Sequence, residues 1–313
     1  MAVRVGVIGV GYLGRHHARI YSGLSGVELV GVADVDRAAA ERIAREYGCA
    51  SSFDYRELAG QCDAVSIATP TSTHRDIAVY CLGEGKDVLV EKPITKSLDE
   101  AGDILEAAGR KGLLLQVGHL ERYNPGVVAV SEMISEPLFM ECERLSPFLG
   151  RGTDVDVTLD LMIHDADIVM SMVRSGLKDL RATGGSIATP NIDIARAWLE
   201  FENGCTAVLA ASRLEQEKRR TLKVFQKDSY ISLDYQNQRV VRHGKNCGGA
   251  PDVIIPEERE PLREELEDFI RCVENRERPR VSGDDAVRAL RTVLEISEAI
   301  RDGLRFGGKE GWL

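Results

Sequence analysis

The sequence is poor in aromatic residues, at 5% of 313, and it has no long apolar run. A helix that spans a bilayer needs about 20 consecutive apolar residues, and no segment reaches that length. The first residues run directly into an apolar segment, without the charged region, apolar core and cleavage site of a secretion signal. We therefore expect no membrane insertion and no export.

Basic residues are also in deficit, since 40 Lys and Arg stand against 50 Asp and Glu and give a net charge of −10. This balance argues against a general positive field for nucleic acid or anionic membranes, although it does not exclude a local basic patch. The seven cysteines are scattered with no C-x-x-C pair, which favours reduced thiols in a cytoplasm over disulfides or zinc. The composition predicts a cytoplasmic protein with no metal site and no nucleic-acid partner.

A glycine-rich motif at residues 9–14, Gly-Val-Gly-Tyr-Leu-Gly, directly follows the apolar run 3–8 and precedes a helical pattern. In such a unit Gly9 allows the tight turn, Gly11 lets the backbone approach a pyrophosphate, and Gly14 lets the helix pack closely on the sheet. The start of the helix then supplies free N–H groups and a positive dipole end for the phosphates. The motif therefore predicts a dinucleotide-binding Rossmann unit.

An acidic residue, Asp34, ends the second apolar run, 20 positions after Gly14. A carboxylate at this point accepts hydrogen bonds from the adenosine ribose diol and repels a 2′-phosphate. Arg37 nearby weakens that preference slightly. The predicted cofactor is NAD, and this part of its site is predicted to consist of Gly9, Gly11, Tyr12, Leu13, Gly14 and Asp34.

Strand and helix patterns alternate up to about residue 120. Strands are predicted at 3–8, 27–33, 63–68, 87–91 and 113–118, and helices at 13–23, 37–47, 74–84 and 97–111. Strands that are buried on both faces and joined by helices form a doubly wound parallel sheet. The α/β chain therefore begins with an NAD-binding Rossmann domain over residues 1–120.

After about residue 120, strand and helix patterns no longer alternate regularly. Helices are predicted at 126–135, 157–174, 259–275 and 284–303, and most of 177–243 reads as strands joined by short turns. Short turns between strands favour hairpins. Residues 121–313 are therefore predicted to form an α+β domain on a largely antiparallel open sheet, which binds substrate and mediates oligomerisation. Substrate is expected between the two domains, at the carboxyl ends of the parallel strands.

Three residues could carry an alcohol oxidation. Lys92 stands at the carboxyl end of the fifth predicted strand, where its ammonium group could stabilise a developing alkoxide; a solvated loop lysine is the alternative. Asp160 and His164 are four positions apart in a predicted helix and share a face. An imidazole beside a carboxylate can take the hydroxyl proton, although a surface hydrogen bond is the alternative. Asp165 and Asp167 leave the orienting carboxylate open.

Together these motifs resemble the Gfo/Idh/MocA oxidoreductases over essentially the whole chain. The resemblance rests on the motif at 9–14, Ala68-Thr69-Pro70-Thr71 with His74, Glu91-Lys92-Pro93, Gly118-His119 before Arg122-Tyr123-Asn124-Pro125, and Asp160 with His164. It implies an enzyme with Lys92 and His164 as the catalytic pair and Asp160 assisting. It also implies that Thr69, Pro70, His74 and Glu91 line the nicotinamide side of NAD, and that Thr71 and Lys92 are cofactor-binding residues as well. Many members carry a Gly-Gly pair shortly before the catalytic aspartate, and this chain does not.

The family implies a sugar or sugar-nucleotide substrate whose ring hydroxyl becomes a ketone. Segments around Arg144, Arg213 and Tyr230 are similar to those of members that oxidise C3 of UDP-N-acetylglucosamine for the 3-amino sugar of some lipid A. The basic cluster from Arg213 to Lys223 suits a diphosphate, although a solvated strand face or a subunit interface is the alternative. The substrate-binding residues implied are Lys92, Arg122, Tyr123, Asn124, Arg151, Asp160, His164 and Arg213.

Two other functions stay open at this level. One is an inositol or free-sugar dehydrogenase of the same family, and the other is a non-catalytic NAD-responsive regulator. The presence of Lys92, Asp160 and His164 argues against a regulator, because a sensor needs no proton acceptor. An open antiparallel sheet leaves one broad face to cover, and a second copy is the usual solution. A homo-oligomer, either a dimer or a tetramer, is therefore expected.

Overall fold

The computed structural model describes residues 2–150, 152–245 and 250–307, and its internal contacts divide the chain into two compact units. The first unit contains Met1–Tyr123 and Arg259–Val287, and the second contains Asn124–Glu258 and Arg288–Leu313. Among the helices of the described residues, none has the length and hydrophobicity needed to cross a membrane.

The first unit is built on six parallel strands. These are β1 (Val3–Ile8), β2 (Val27–Ala33), β3 (Ala50–Ser52), β4 (Ala64–Ile67), β5 (Asp87–Glu91) and β6 (Leu115–Gly118). The intervening helices are α1 (Gly14–Ser22), α2 (Arg37–Tyr47), α3 (Tyr55–Ala59), α4 (His74–Gly83) and α5 (Leu98–Lys111). The strand order β3-β2-β1-β4-β5-β6 reverses between β1 and β4, which is where ligands bind in such sheets. The predicted doubly wound parallel sheet is confirmed.

Local sequence explains where the helices of this sheet begin and end. Asp36 caps α2 by accepting from the Ala39 N–H, and Ser97 caps α5 by accepting from the Glu100 N–H. Such caps satisfy backbone donors that the first helical turn leaves open. Gly112 ends α5 with a positive φ of 61°, a conformation that favours glycine. These signals explain why the predicted and observed helices agree closely.

Helix α8 (Pro261–Asn275) lies far along the chain but belongs to the first unit. Its Leu266 and Phe269 are fully buried in one hydrophobic cluster with Tyr21 of α1. The Gln116 side chain also donates to the backbone carbonyl of Glu265. The single boundary expected at residue 120 therefore differs from the observed division, because a later helix returns to pack on the first sheet.

The second unit carries an eight-stranded sheet. After α6 (Pro125–Met133), its strands are β7 (Pro137–Leu145), β8 (Leu177–Gly185), β9 (Ile194–Phe201), β10 (Thr206–Ser212), β11 (Arg219–Gln226), β12 (Ser229–Asp234), β13 (Arg239–Gly244) and β14 (Asp252–Ile254). Their order is β14-β13-β12-β11-β7-β10-β9-β8, and every pair is antiparallel except β7 with β10. This confirms a largely antiparallel sheet. A π-helical turn at Thr158–Met162 leads into α7 (Ile163–Val173), and α9 (Gly283–Gly307) ends the described chain.

Candidate active site

A cavity of about 520 Å³ opens beside the carboxyl ends of β1, β2 and β4. Five of the predicted cofactor residues line it: Gly9, Gly11, Asp34, Thr69 and Pro70. The remaining lining residues are Ile8, Ala33, Val35, Phe53, Tyr55, Arg56, Ala68, Thr73, Asp76 and Ile77. The cavity therefore coincides with the switch point of the sheet and with the glycine turn, as expected for a dinucleotide site.

The three glycines of the turn meet three different steric demands. Gly9 has a φ of +87°, and a Cβ there would lie 2.8 Å from the Ala68 carbonyl oxygen. A Cβ at Gly14 would lie only 1.8 Å from the Gly9 carbonyl oxygen, so a side chain would force α1 away from the turn. At Gly11 a Cβ would meet no protein atom within 4 Å, although the residue lines the cavity. Gly11 thus leaves open space, which fits the close approach of a pyrophosphate.

Asp34 is held at the end of β2 by two backbone donors. Its Oδ2 accepts from the Val10 N–H at 2.8 Å, and its Oδ1 accepts from the Asp36 N–H at 2.9 Å. A carboxylate offers about four lone-pair sites, so both oxygens can still accept from a ribose diol. The carboxylate is therefore fixed against the glycine turn while it lines the cavity, which fits NAD.

The aromatic wall of this cavity was not predicted from the sequence. Phe53 and Tyr55 line it, with the Arg37 guanidinium 4.3 Å from the Phe53 ring centre and the Arg56 guanidinium 4.5 Å from the Tyr55 ring centre. Such flat, apolar surfaces suit a purine base. Phe53 directly follows β3, a strand of only three small or polar residues that pairs with the end of β2. This short strand, which brings Phe53 next to the end of β2, was not predicted.

Seven of the predicted cofactor residues do not line the cavity, among them Tyr12, Leu13 and Thr71. Tyr12 is 69% exposed, with its ring 5.9 Å from that of His16. Leu13 immediately precedes α1, and Thr71 begins a short 3₁₀ turn. Their contacts with cofactor stay predictions.

His74 does not line the cavity but joins two loops beside it. The ring is 1% exposed, with Nε2 2.9 Å from the Thr69 carbonyl oxygen and Nδ1 3.1 Å from the Pro93 carbonyl oxygen. Burial lowers the pKa of His74, although these carbonyls act in the opposite direction. Because its two ring nitrogens lie within hydrogen-bond distance of carbonyls from different loops, His74 joins the loops after β4 and β5.

Glu91, Lys92 and Pro93 follow one another at the carboxyl end of β5. Glu91 is 7% exposed, whereas Lys92 is half-buried, and the Lys92–Pro93 peptide bond is cis. The Glu91 Oε2 accepts from the backbone N–H of Lys92 at 3.2 Å. The structure therefore places Lys92 at the strand end that the sequence indicated, with Glu91 buried behind it.

In the second unit, Asp160 and His164 lie where a π-helical turn meets α7. Both side chains are half-buried. Gly152, with a φ of +66°, packs so closely that a Cβ there would lie 2.5 Å from an Asp160 carboxylate oxygen. This glycine therefore gives the backbone close access to Asp160 in a chain that lacks the Gly-Gly pair. Irregular turns of this kind are frequent at functional sites, and sequence periodicity did not predict this one.

Asp165 is committed to a buried ion pair. Its two oxygens accept from Arg144, at 2.8 Å from Nη2 and 3.1 Å from Nε, and both side chains are 2% exposed. This pair joins α7 to β7 directly beside His164. Asp165 therefore anchors the helix, which leaves Asp160 and Asp167 as the carboxylates that could assist His164.

Replacing Arg144 by Met should lower the free energy of unfolding by about 3–5 kcal/mol, because it leaves the Asp165 carboxylate buried without its guanidinium. Urea denaturation measures the loss. The double variant R144M/D165N should recover part of it, because the uncompensated charge is gone. A loss of less than about 1 kcal/mol in R144M would contradict the anchoring role, since that is the value of an exposed pair.

The basic cluster predicted from sequence is divided in the structure. Lys223 pairs with Glu141 at 3.2 Å, and Arg219 lies 3.6 Å from Glu143, all on the sheet face. This arrangement matches the strand-face alternative for these two residues. Arg213 differs because it is buried: it is 4% exposed, donates from Nη2 to the Val155 carbonyl, and has its Nε 4.0 Å from Oδ1 of buried Asp193, while Nε and Nη1 make no hydrogen bond among the described residues. Arg213 therefore stays a candidate for substrate binding.

The other predicted substrate residues have contacts within the protein. Arg122 donates to the Arg280 carbonyl at 3.3 Å. Tyr123 is 2% exposed and donates to Asp268 at 2.7 Å, and burial raises its pKa. Asn124 caps α6 by accepting from the Gly126 N–H. These contacts need no substrate, and Arg151 lies outside the described residues.

Six described cysteines are free thiols, and Cys247 lies outside the described residues. Within residues 2–150, 152–245 and 250–307, no group of His, Cys, Asp and Glu side chains has the arrangement of a metal site. The cytoplasmic location expected from the cysteines stays a prediction.

Comparison with known proteins agrees with this geometry. The family GFO_IDH_MocA, described as "Oxidoreductase family, NAD-binding Rossmann fold", matches residues 3–119. The chain is 35% identical over 306 residues to UDP-N-acetylglucosamine 3-dehydrogenase of Acidithiobacillus ferrooxidans, covering 95% of this chain and 97% of that protein. A solved structure of that enzyme has 34% identity and a TM-score of 0.92, covering 96% of this chain and 99% of its own.

A second relative has a different substrate in its name. The scyllo-inositol 2-dehydrogenase (NAD(+)) of Bacillus subtilis is 28% identical over 329 residues, covering 96% of this chain and 95% of that protein. The chain is thus similar along nearly its whole length to a sugar-nucleotide dehydrogenase and, at lower identity, to an inositol dehydrogenase.

Proposed function

Because the chain belongs to the Gfo/Idh/MocA family of NAD-binding oxidoreductases, we propose that it oxidises the C3 hydroxyl of UDP-N-acetylglucosamine to a ketone. The observation that carries the proposal is the 35% identity, over 95% of the chain, to a dehydrogenase named for that substrate. This coverage includes both units, whereas a family match to the cofactor domain alone would say nothing of substrate. The inositol dehydrogenase matches over a similar share at 28%, so inositol is the second candidate.

Residues of the first unit hold the cofactor in this proposal. When bound, NAD⁺ supplies the acceptor for the hydride that leaves the substrate carbon. The open space at Gly11 receives the pyrophosphate, and Asp34 accepts from the ribose hydroxyls. The rings of Phe53 and Tyr55, which line the same cavity, would offer flat apolar surfaces to the adenine.

Three side chains carry the chemistry at the substrate oxygen. His164 takes the hydroxyl proton, and Asp160 favours the positive charge that the imidazole acquires. Lys92 donates a hydrogen bond to the same oxygen and stabilises the negative charge that develops there as the hydroxyl proton leaves. The hydroxyl proton thus ends on His164, the hydride leaves the substrate carbon for the nicotinamide, and the alcohol becomes a ketone.

Absorbance of NADH tests this function. Purified protein is mixed with NAD⁺ and UDP-N-acetylglucosamine, and a 2-oxoglutarate-dependent aminotransferase is added to consume the ketone. The expected result is NADH formation that requires His164. Activity only on myo-inositol or glucose would show that UDP-N-acetylglucosamine is not the substrate. If no alcohol reduced the bound NAD⁺, the result would favour a non-catalytic NAD-responsive regulator.

We also propose that a second copy of this chain covers the outer face of the eight-stranded sheet. A continuous aromatic row crosses that face, with ring centres 4.7–6.0 Å apart, formed by Trp198, Phe139, Phe225, Tyr230 and His243. Trp198 and Phe225 are 45% and 41% exposed. An apolar row of this kind on a solvent-facing sheet is typical of a subunit interface.

The variant Phe225→Asp should weaken self-association by about tenfold or more, because it places a charge in the centre of this face. Light scattering after size exclusion measures the mass. Ile187→Asp is the matched control, since Ile187 is 77% exposed but lies in a loop outside the sheet. A monomeric wild type, or equal association of both variants, would contradict the assignment of this face.

A further inference from the structure

A buried histidine of α1 stands directly behind the loop that carries Lys92. His17 is 0% exposed, and its Nε2 lies 3.0 Å from Oε1 of Glu91. Its Nδ1 lies 2.7 Å from the hydroxyl of Ser66 on β4. A neutral ring satisfies both contacts by donating from Nε2 to the carboxylate and accepting at Nδ1 from the hydroxyl. Both nitrogens are thus engaged, and His17 links α1 to β4 and β5.

Glu91 passes this constraint on to Lys92. One carboxylate oxygen, Oε1, is hydrogen-bonded to Nε2 of His17 at 3.0 Å. The other, Oε2, accepts from the backbone N–H of Lys92 at 3.2 Å. Gly118 on β6 leaves the space that this carboxylate occupies, since a Cβ at Gly118 would lie 2.8 Å from Glu91 Oε2. The contacts on both of its carboxylate oxygens restrict Glu91, and Glu91 in turn holds the backbone from which the Lys92 side chain extends.

The place of His17 on its helix gives this contact a functional meaning. The helix α1 begins at Gly14, whose lack of a Cβ fits it against the phosphate-binding turn, and His17 lies less than one turn further on. The element that receives the cofactor phosphates and the strand that ends at Lys92 are therefore held by a single imidazole. A catalytic group misplaced by about 1 Å can lose about 100-fold in rate.

We infer that His17 is a positioning residue for the dehydrogenation, acting through Glu91 to fix Lys92 relative to the cofactor-binding turn. This inference rests on the proposed role of Lys92. It assigns to a residue with no access to solvent a function that neither the glycine motif nor the Glu-Lys-Pro motif includes.

The test compares three variants at helix α1. His17→Leu removes both nitrogens, His17→Gln keeps a donor for Glu91, and His16→Leu alters the neighbouring histidine, which contacts the Tyr12 ring. We expect His17→Leu to lower kcat by about 10–100-fold, with the Kd for NAD⁺ changed by less than about threefold. His17→Gln should recover most of the rate, and His16→Leu should match the wild type.

A second readout needs no substrate. Hydrogen exchange of peptides covering residues 88–96 reports the Lys92 amide, and His17→Leu should accelerate its exchange by about tenfold without accelerating exchange across α1. If wild type oxidises no alcohol, the proposed function fails, and this exchange result alone decides the role of His17.

Three results would overturn the inference. The first is a wild-type kcat in His17→Leu, and the second is unchanged exchange at Lys92. The third is a parallel loss of kcat, NAD⁺ affinity and thermal stability that His17→Gln does not restore, because that pattern indicates only a damaged core.

Discussion

Replacing Lys92 by Met should lower kcat by about 10³-fold or more, because Met keeps the length of the apolar stem but removes the ammonium donor to the developing alkoxide. The affinity for NAD⁺ should stay within about threefold of the wild type, because the cavity lined by Gly9, Gly11 and Asp34 is unchanged. Steady-state turnover and equilibrium NAD⁺ binding measure the two quantities separately.

The matched control for this variant is Lys96→Met. Lys96 lies in the same loop, but its side chain is exposed and its backbone N–H donates to Glu100. Its turnover should equal that of the wild type. Retained turnover in Lys92→Met would refute the role of this lysine, and an equal loss in both variants would show that any change of charge in the loop suffices.

Two glycine variants should separate cofactor binding from folding. Gly11→Val should weaken NAD⁺ binding by about 100-fold while leaving the thermal midpoint nearly unchanged, because the new side chain meets no protein atom near its Cβ but occupies space for the pyrophosphate. Gly14→Ala should weaken binding and also lower the midpoint, since its Cβ would lie 1.8 Å from the Gly9 carbonyl oxygen.

Calorimetric titration of each variant with NAD⁺ gives its affinity for the cofactor. Thermal unfolding of each variant without cofactor gives its midpoint. The contrast between the variants carries the test. If Gly11→Val bound NAD⁺ as tightly as the wild type, the cavity would not be the pyrophosphate site. If Gly14→Ala kept the wild-type midpoint, α1 could move away from the Gly9 carbonyl without loss of stability. That result would contradict the steric role of Gly14.

The fold of the first unit was largely predictable, because its strands are continuous apolar runs and its helices have strong caps such as Ser97. Strand β3 was not, since Ala50–Ser52 is too short and too polar to show a periodic pattern. The return of α8 was also not predictable. The apolar face of an amphipathic helix indicates that the helix packs against a hydrophobic core. The sequence of α8 does not indicate which core this is, and in the structure it is the one that contains Tyr21.

The candidate site was predictable where a motif requires a particular backbone, as at Gly9 and Gly14. It was less predictable where side chains converge from distant segments, as Phe53 and Tyr55 do in the cavity wall. Motif position also did not distinguish function from support. Asn124 caps a helix in the structure, and its contact with substrate stays a prediction.

The central claim is hydride removal from C3 of UDP-N-acetylglucosamine, and an isotope label tests it most directly. Substrate carrying deuterium only at C3 is oxidised with NAD⁺ in the presence of the aminotransferase, and the reduced cofactor is analysed by mass spectrometry. We predict that the deuterium appears in NADH. Unlabelled NADH would show that another carbon is oxidised, and the absence of NADH would contradict the sugar-nucleotide assignment.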